Sequence, residues 1–278
     1  MNKMIKSKTL SYIILISYSL LALLPIMWMF STAFKTNEKV YDLPPRWIPD
    51  EPTLSNFRQI LGSAKGTNFG YYILNSIIIA SITTLICVIV GSMAAYSFSR
   101  YEVPGSGLLM LVILGSRMIA PTALIIPFLV IARNFGIMDT RIVLIAANLY
   151  MQLPLYIWMM KGYMDGIPKQ IDDSAKIDGC NKFQVFYLMI LRLSWPGIVS
   201  FAILVFLFTW NDFIFALTLT LERSKTLTVG MFDFFSDTTI FWSNVSAAGV
   251  LSIIPALIFV LFFQKYLVKG LVEGAIKG

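Results

Sequence analysis

Apolar residues in this chain come in long, nearly unbroken runs set apart by polar stretches. A helix crossing the hydrocarbon of a bilayer needs about 20 mostly apolar residues. Six runs fit that requirement: Ser11–Phe30, Tyr72–Phe98, Leu108–Ile131, Ile142–Met160, Ile198–Leu217 and Ala247–Leu267. The pattern predicts an all-α, polytopic membrane protein with six transmembrane helices. Asn211 and Asp212 interrupt the fifth run, and the third contains Arg117, Pro121 and Pro127. The prolines predict kinks. Breaks in a span are tolerated where the freed backbone is buried in protein or lines a cavity.

The polar stretches differ in kind. Residues 31–70 carry Pro44, Pro45, Pro49 and Pro52 and read as an external loop with one short helix around Leu54–Leu61. Residues 218–245 form a second, mildly apolar excursion on that side, with Gly230, Phe232, Phe234 and Phe235. The loop 161–195 is strongly charged. In it Pro168 suits the first turn of a helix. Asp172 and Asp173 suit the early turns, where the helix dipole favours acids, and Gly179 suits the left-handed residue past a helix end. The expectation is helix, glycine turn, helix, about Pro168–Ile177 and then Lys182–Leu191. Phe183, Val185, Phe186, Met189 and Ile190 give the second helix an apolar surface. It could lie against a protein partner or rest on the headgroups, and the residues alone leave both readings open. No internal repeat is evident. Two regions are expected: 1–70, the first span with its external loop, and 71–278, a core of five spans holding the loop 161–195 and a tail, 268–278.

Composition agrees with a membrane setting. The 278 residues are 57% hydrophobic and 13% charged, against about 25% charged in a soluble domain, and the mean hydropathy is +0.75. The net charge of +7 is scattered along membrane flanks with no basic stripe, so no nucleic-acid partner is expected. An even number of spans puts both termini on one side. Grouping the termini with the 99–107 and 161–195 loops gives twelve lysines and arginines against nine on the other side, with Arg117 left in the bilayer. That places both termini in the cytoplasm. The first run begins basic, at Lys3, Lys6 and Lys8, but is too long for an ordinary signal-peptide core and is expected to stay uncleaved.

The chain has no His, which removes His bases, His ligands and His proton relays. Cys87 and Cys180 have no Cys or His at metal-ligand spacing and read as two reduced thiols. There is no phosphate-binding G-x-x-x-x-G-K-[ST] and no G-x-S-x-G, H-E-x-x-H or C-x-x-C. The expectation is a chain that is not an enzyme, binds no metal or cofactor, and draws energy from a partner.

A charge at the centre of a spanning helix costs roughly 2.5–3.5 kcal/mol on insertion scales. Arg117 and Asp212 are therefore expected to face a cavity or a partner. They could pair with each other, line a translocation path, or face a second subunit. Asn148, Gln152, Trp210 and Asn211, with Tyr150, could complete a site for a polyhydroxylated solute, because amides donate to and accept from hydroxyls and aromatic faces stack on sugars. For Tyr150, anchoring at the interface or lipid contact is the preferred reading.

Asp173-Ser174-Ala175, three intervening residues, Gly179, then Met189 and Leu191 resemble the E-A-A-x3-G-x9-I-x-L-P signature of ABC-importer permeases. Asp stands for Glu, Ser for the first Ala, Met for Ile, and Arg192 for the closing Pro. Trp210-Asn211-Asp212-Phe213 resembles the W-N-[DE]-F of carbohydrate-type permeases, and residues 268–278 resemble that family's C-terminal tail. Residues 53–57, Ile119-Ala120-Pro121 and Ile126-Pro127 fit as well. Within the family the chain is most similar in type to the second membrane subunit of the maltose importer. The resemblance implies a sugar permease in the cytoplasmic membrane of a prokaryote, with the 161–195 loop as its ATPase-coupling loop. It also implies a second homologous permease subunit, two ATPase subunits that bind ATP and magnesium, and an extracytoplasmic solute-binding protein. The alternatives are a six-span secondary transporter with Asp212 as coupling carboxylate, or a membrane enzyme or scaffold.

Overall fold

The computed structural model describes residues 2–62, 68–235 and 240–275, with side chains over 11–62, 68–235 and 240–262. Its helices are α1 (Asn2–Ala33), α2 (Ser55–Leu61), α3 (Phe69–Arg100), α4 (Ser106–Ser116), α5 (Pro121–Asn134) and α6 (Arg141–Asp165). Then come α7 (Gln170–Ile177), α8 (Lys182–Leu193), α9 (Trp195–Trp210), α10 (Ile214–Leu219), α11 (Leu227–Gly230) and α12 (Trp242–Ala275). Among the described residues, parts of α1, α3, α6 and α12 are long and apolar enough to cross a bilayer, which gives four candidate spans, or up to six if each of two bent pairs counts as one.

The bent pairs correct the picture of straight spans. α4 and α5 meet at 88°. Ala120 sits at φ −57° and ψ 134°, and Pro121 opens α5. A residue before proline is pushed off the helical region, and proline itself fits a helix start. Pro121 thus breaks the third run outright, while Pro127 lies inside α5 without ending it. The fifth run stops at Trp210 and resumes as α10. The Asn211 amide turns back to Leu207 O at 2.8 Å, and the Phe215 N–H donates to Asp212 Oδ1 at 3.4 Å. The two polar residues that interrupt the hydropathy pattern also end one helix and start the next.

The chain gathers into two compact units, Met1–Gly70 with Gly230–Ile254 and Tyr71–Val229 with Pro255–Gly278. In the first, the Asn56 amide donates to Ala33 O at 2.8 Å and to Lys35 O at 2.7 Å, fixing α2 to the end of α1. The apolar side chains of α1 from Tyr12 to Leu24 are exposed. Such a surface is unfavourable in water and suited to lipid. In the second unit, Tyr156, Met160 and Met164 of α6 pack with Cys87, Ala95, Phe186, Ile190, Phe201 and Val205. Val143, Leu144 and Ala147 pack with Ile79, Phe215, Ala216 and Leu219. α3 comes close to α6 because Gly91 has no side chain, with the Tyr156 ring standing over it. The Tyr156 hydroxyl shares a 3.0 Å hydrogen bond with Ser92.

Candidate functional site

The charged loop folds as two short helices around a glycine turn. α7 begins at Gln170, two residues after Pro168, so the proline precedes the helix and does not open it. At its end Gly179 takes φ +85°. The Cys180 N–H reaches Ala175 O at 3.0 Å and the Gly179 N–H reaches Lys176 O at 3.0 Å. These are the two bonds of a left-handed helix stop that glycine alone adopts freely. α8 starts with a reciprocal cap. The Gln184 N–H donates to Asn181 Oδ1 at 2.9 Å, and the Asn181 N–H donates to Gln184 Oε1 at 2.8 Å. The N-x-x-Q spacing of Asn181 and Gln184 is the sequence signal of this cap. Within α8, Val185–Ile190 winds as a π-helix, a form found mostly where helices adjust locally.

The apolar surface of α8 divides. Val185, Phe186 and Ile190 are buried in the chain's own core, which corrects the expectation that the whole set faces a partner or the bilayer. Phe183 stays exposed. On α7, Asp173 and Ser174 point outward and Ala175 is buried. Asp173 Oδ1 lies 3.0 Å from Lys176 Nζ, and this hydrogen-bonded carboxylate raises the Lys176 pKa above its usual value. Between α7 and α8 lies an open hollow of about 260 Å³, lined by Gln170, Ile171, Ser174, Ala175, Asp178 and Met189.

Asp172 is not a free dipole partner. It is buried, with Oδ2 2.9 Å from Arg100 Nε at the end of α3. The Nε–H is not directed at that oxygen, so the pair is mainly electrostatic. The Arg100 fork donates to Met164 O at 3.2 Å and to Ile167 O at 3.0 Å. Sequence reasoning counted Arg100 only as a cytoplasmic charge, and nothing local marks it as a core residue.

The intramembrane candidates fall into separate places. Asn148 and Gln152 are one turn apart and buried on α6. The Asn148 amide donates to Leu144 O at 3.0 Å and to Asp212 Oδ2 at 3.2 Å. Gln152 Oε1 has no hydrogen-bond partner among the described residues. Trp210 is buried and stacked on Phe206 at 5.8 Å between ring centroids. Asn211 is exposed. The Arg117 guanidinium lies 5.6 Å from the Phe208 ring centroid. Among the described residues neither Arg117 nor Asp212 forms an ion pair, so the two charges do not meet. The Tyr150 hydroxyl donates to Ser116 O at 2.9 Å, at the end of α4.

One structured feature lies at the opposite end of α6 from the charged loop. Asp139, at φ +55°, accepts from the N–H groups of Leu221, Glu222, Arg223 and Ser224 at 2.9 to 3.2 Å and from the Ser224 hydroxyl at 3.0 Å. Burial alone would raise its pKa, but the four backbone donors outweigh it and hold the carboxyl down to about 2. Beside it, Arg141 Nε donates to Asn75 Oδ1 at 2.8 Å.

Residues 87–273 match the family described as binding-protein-dependent transport system inner membrane component. The chain is similar to the trehalose transport system permease protein SugB of Mycobacterium tuberculosis, with 38% identity covering 92% of this chain and 93% of that one. It is 36% identical to the trehalose/maltose transport system permease protein MalG of Thermococcus litoralis, over 94% of this chain and 93% of the other. Its fold matches a bacterial ABC transporter involved in the import of the acidic polysaccharide alginate, with a TM-score of 0.79 at 22% identity, over 93% of this chain and 95% of that chain.

Proposed function

The chain belongs to the binding-protein-dependent transport system inner membrane components, the permease subunits of ABC importers, and we propose that it carries a sugar or related polyhydroxylated solute through the membrane while its α7–α8 loop receives the energy of ATP from partner subunits. Trehalose and maltose, named for the two relatives, are the first solutes to try. A secondary transporter working through Asp212 has no support. The family is one of binding-protein-dependent systems, and the Asp212 carboxylate is engaged by Asn148 and the Phe215 N–H.

In this reading the chain pairs with a second permease subunit and two ATPase subunits that bind ATP and magnesium, and it receives solute from an external binding protein. Both termini and the loop 161–195 lie in the cytoplasm. Residues 71–278 form the permease core, and 1–70 supply an added span and outer loop. Closure of the ATPases on ATP pushes α7, and the spans switch from inward to outward access. Arg117, Asn148, Gln152, Trp210, Asn211 and Asp212 stand along the translocation path, where Gln152 Oε1, without a hydrogen-bond partner among the described residues, accepts a solute hydroxyl.

The observation that carries the coupling role is the split on α7, where Asp173 and Ser174 face outward beside an open hollow while Ala175 roots the helix in the core. The test is a crosslink. With Cys87 and Cys180 removed, Lys176→Cys in intact membranes is expected to crosslink to the ATPase subunit in a manner that changes with ATP. Labelling of that cysteine from outside by an impermeant reagent, with no crosslink, would refute both the orientation and the coupling role.

A further inference from the structure

We infer that Arg100 is a positioning residue of the transport cycle, carrying the displacement of α7 into α3 and α6. The inference rests on the coupling role proposed for α7.

Only two side chains of α7 are buried, Asp172 and Ala175. Ala175 lies in the apolar cluster that joins Val185, Phe186 and Ile190 of α8 to Ala95 of α3 and to Met160 and Met164 of α6, so a push on the outward face of α7 spreads through non-directional packing. Asp172 adds a polar, directed contact. Its carboxylate lies 2.9 Å from Arg100 Nε, with the two side chains 7% and 5% exposed. The same guanidinium holds Met164 O in the last turn of α6 and Ile167 O in the linker that leads to α7. One planar group thus ties the end of α3, the end of α6 and the first turn of α7. Lys can take this place only in part. A lysine ammonium is a point charge on a flexible stem, whereas the guanidinium is a rigid fork. A buried pair is also little screened by salt, so the tie persists at high ionic strength. α7 is joined to α6 by only the four residues Gly166–Lys169. Without the tie, α7 would be held to α3 and α6 only by the apolar packing of Ala175 and by that short linker, and less of its displacement would reach them.

The test uses the whole transporter with its partner subunits in proteoliposomes. Solute uptake and ATP hydrolysis are both measured per assembled complex, and the Lys176→Cys crosslink is scored in parallel. With Arg100→Gln, the crosslink and hydrolysis are expected to persist while solute moved per ATP falls by about tenfold, the scale of a typical coupling free energy. Arg100→Lys is expected to fall between. Arg100→Gln with Asp172→Asn separates folding from transmission, because it leaves no unpaired buried charge. Transmission predicts that this double variant assembles and stays uncoupled. Normal uptake per ATP in Arg100→Gln would overturn the inference. So would recovery of coupling in the double variant, or failure of the double variant to assemble. Loss of the crosslink in the otherwise unaltered transporter would instead refute the docking of α7.

Discussion

Asn148 donates its amide to Asp212 Oδ2 at 3.2 Å, joining the second turn of α6 to the break between α9 and α10. The same carboxylate accepts from the Phe215 N–H. Asn148→Leu would leave that partly buried acid one donor short, and hydrogen bonds to charged groups contribute about 1.5–3 kcal/mol each. A fall in the melting temperature of the purified complex is expected, together with reduced uptake. Asp212→Asn keeps an acceptor for Phe215 and should be milder than Asp212→Ala. Equal melting temperatures for those two variants would show that the cap does not matter.

Gly91 permits the close approach of α3 and α6. A Cβ there would stand 2.4 Å from Tyr156 Cδ1. Gly91→Ala must therefore displace the Tyr156 ring and its hydroxyl contact with Ser92, at an overpacking cost of about 1–3 kcal/mol. Pairing it with Tyr156→Leu, which removes the ring, should recover part of the loss. Thermal unfolding of the single and double variants measures both effects.

Gly179 has no atom within 4 Å of where a Cβ would be, yet sits at φ +85°. Substitution is limited by backbone strain alone. Gly179→Ala is expected to cost about 1–2 kcal/mol, the penalty of a left-handed backbone for a residue with a Cβ, and Gly179→Asn less. Gly179→Trp adds bulk to the proposed docking face and should stop uptake while the subunits still co-purify. Full uptake by that variant would count against coupling through this turn.

Asp139 predicts an acid-sensitive tie. Its folded pKa of about 2 lies below the ordinary 3.8. The folded form therefore binds the proton less tightly than the unfolded one, so the stabilisation is complete above the ordinary value and is lost as pH falls toward 2. Protection of the Leu221–Ser224 amides against hydrogen exchange, taken relative to their intrinsic rates, should fall across that window. In Asp139→Asn, which tolerates the left-handed backbone but gives up one oxygen, exchange should be fast already at neutral pH.

Much of this protein could be read from order along the chain. The apolar runs, the helix–glycine–helix loop and the end of the fifth helix at Asn211 and Asp212 were all legible, because each depends on neighbours within a few residues: length in lipid, φ at a turn, a capping side chain. Pro121 was legible as a disturbance but not as an 88° break, since the angle depends on what packs beside α4 and α5. The site residues divided in the same way. Asp173 to Gly179 stood out by spacing, but spacing could not tell that Asp173 faces out and Asp172 in.

What the sequence determined by itself was the membrane class, the helices and the place of the charged loop. Only the tertiary structure decided the partners. It set Arg100 against Asp172 across 72 positions, Asn148 against Asp212 across 64 and Asp139 against Leu221 across 82. It also kept Arg117 and Asp212 apart. The physical reason is one of range: helix formation and capping are local, whereas a buried charge or amide is satisfied by whatever packing brings within about 3 Å, and packing is a property of the whole fold.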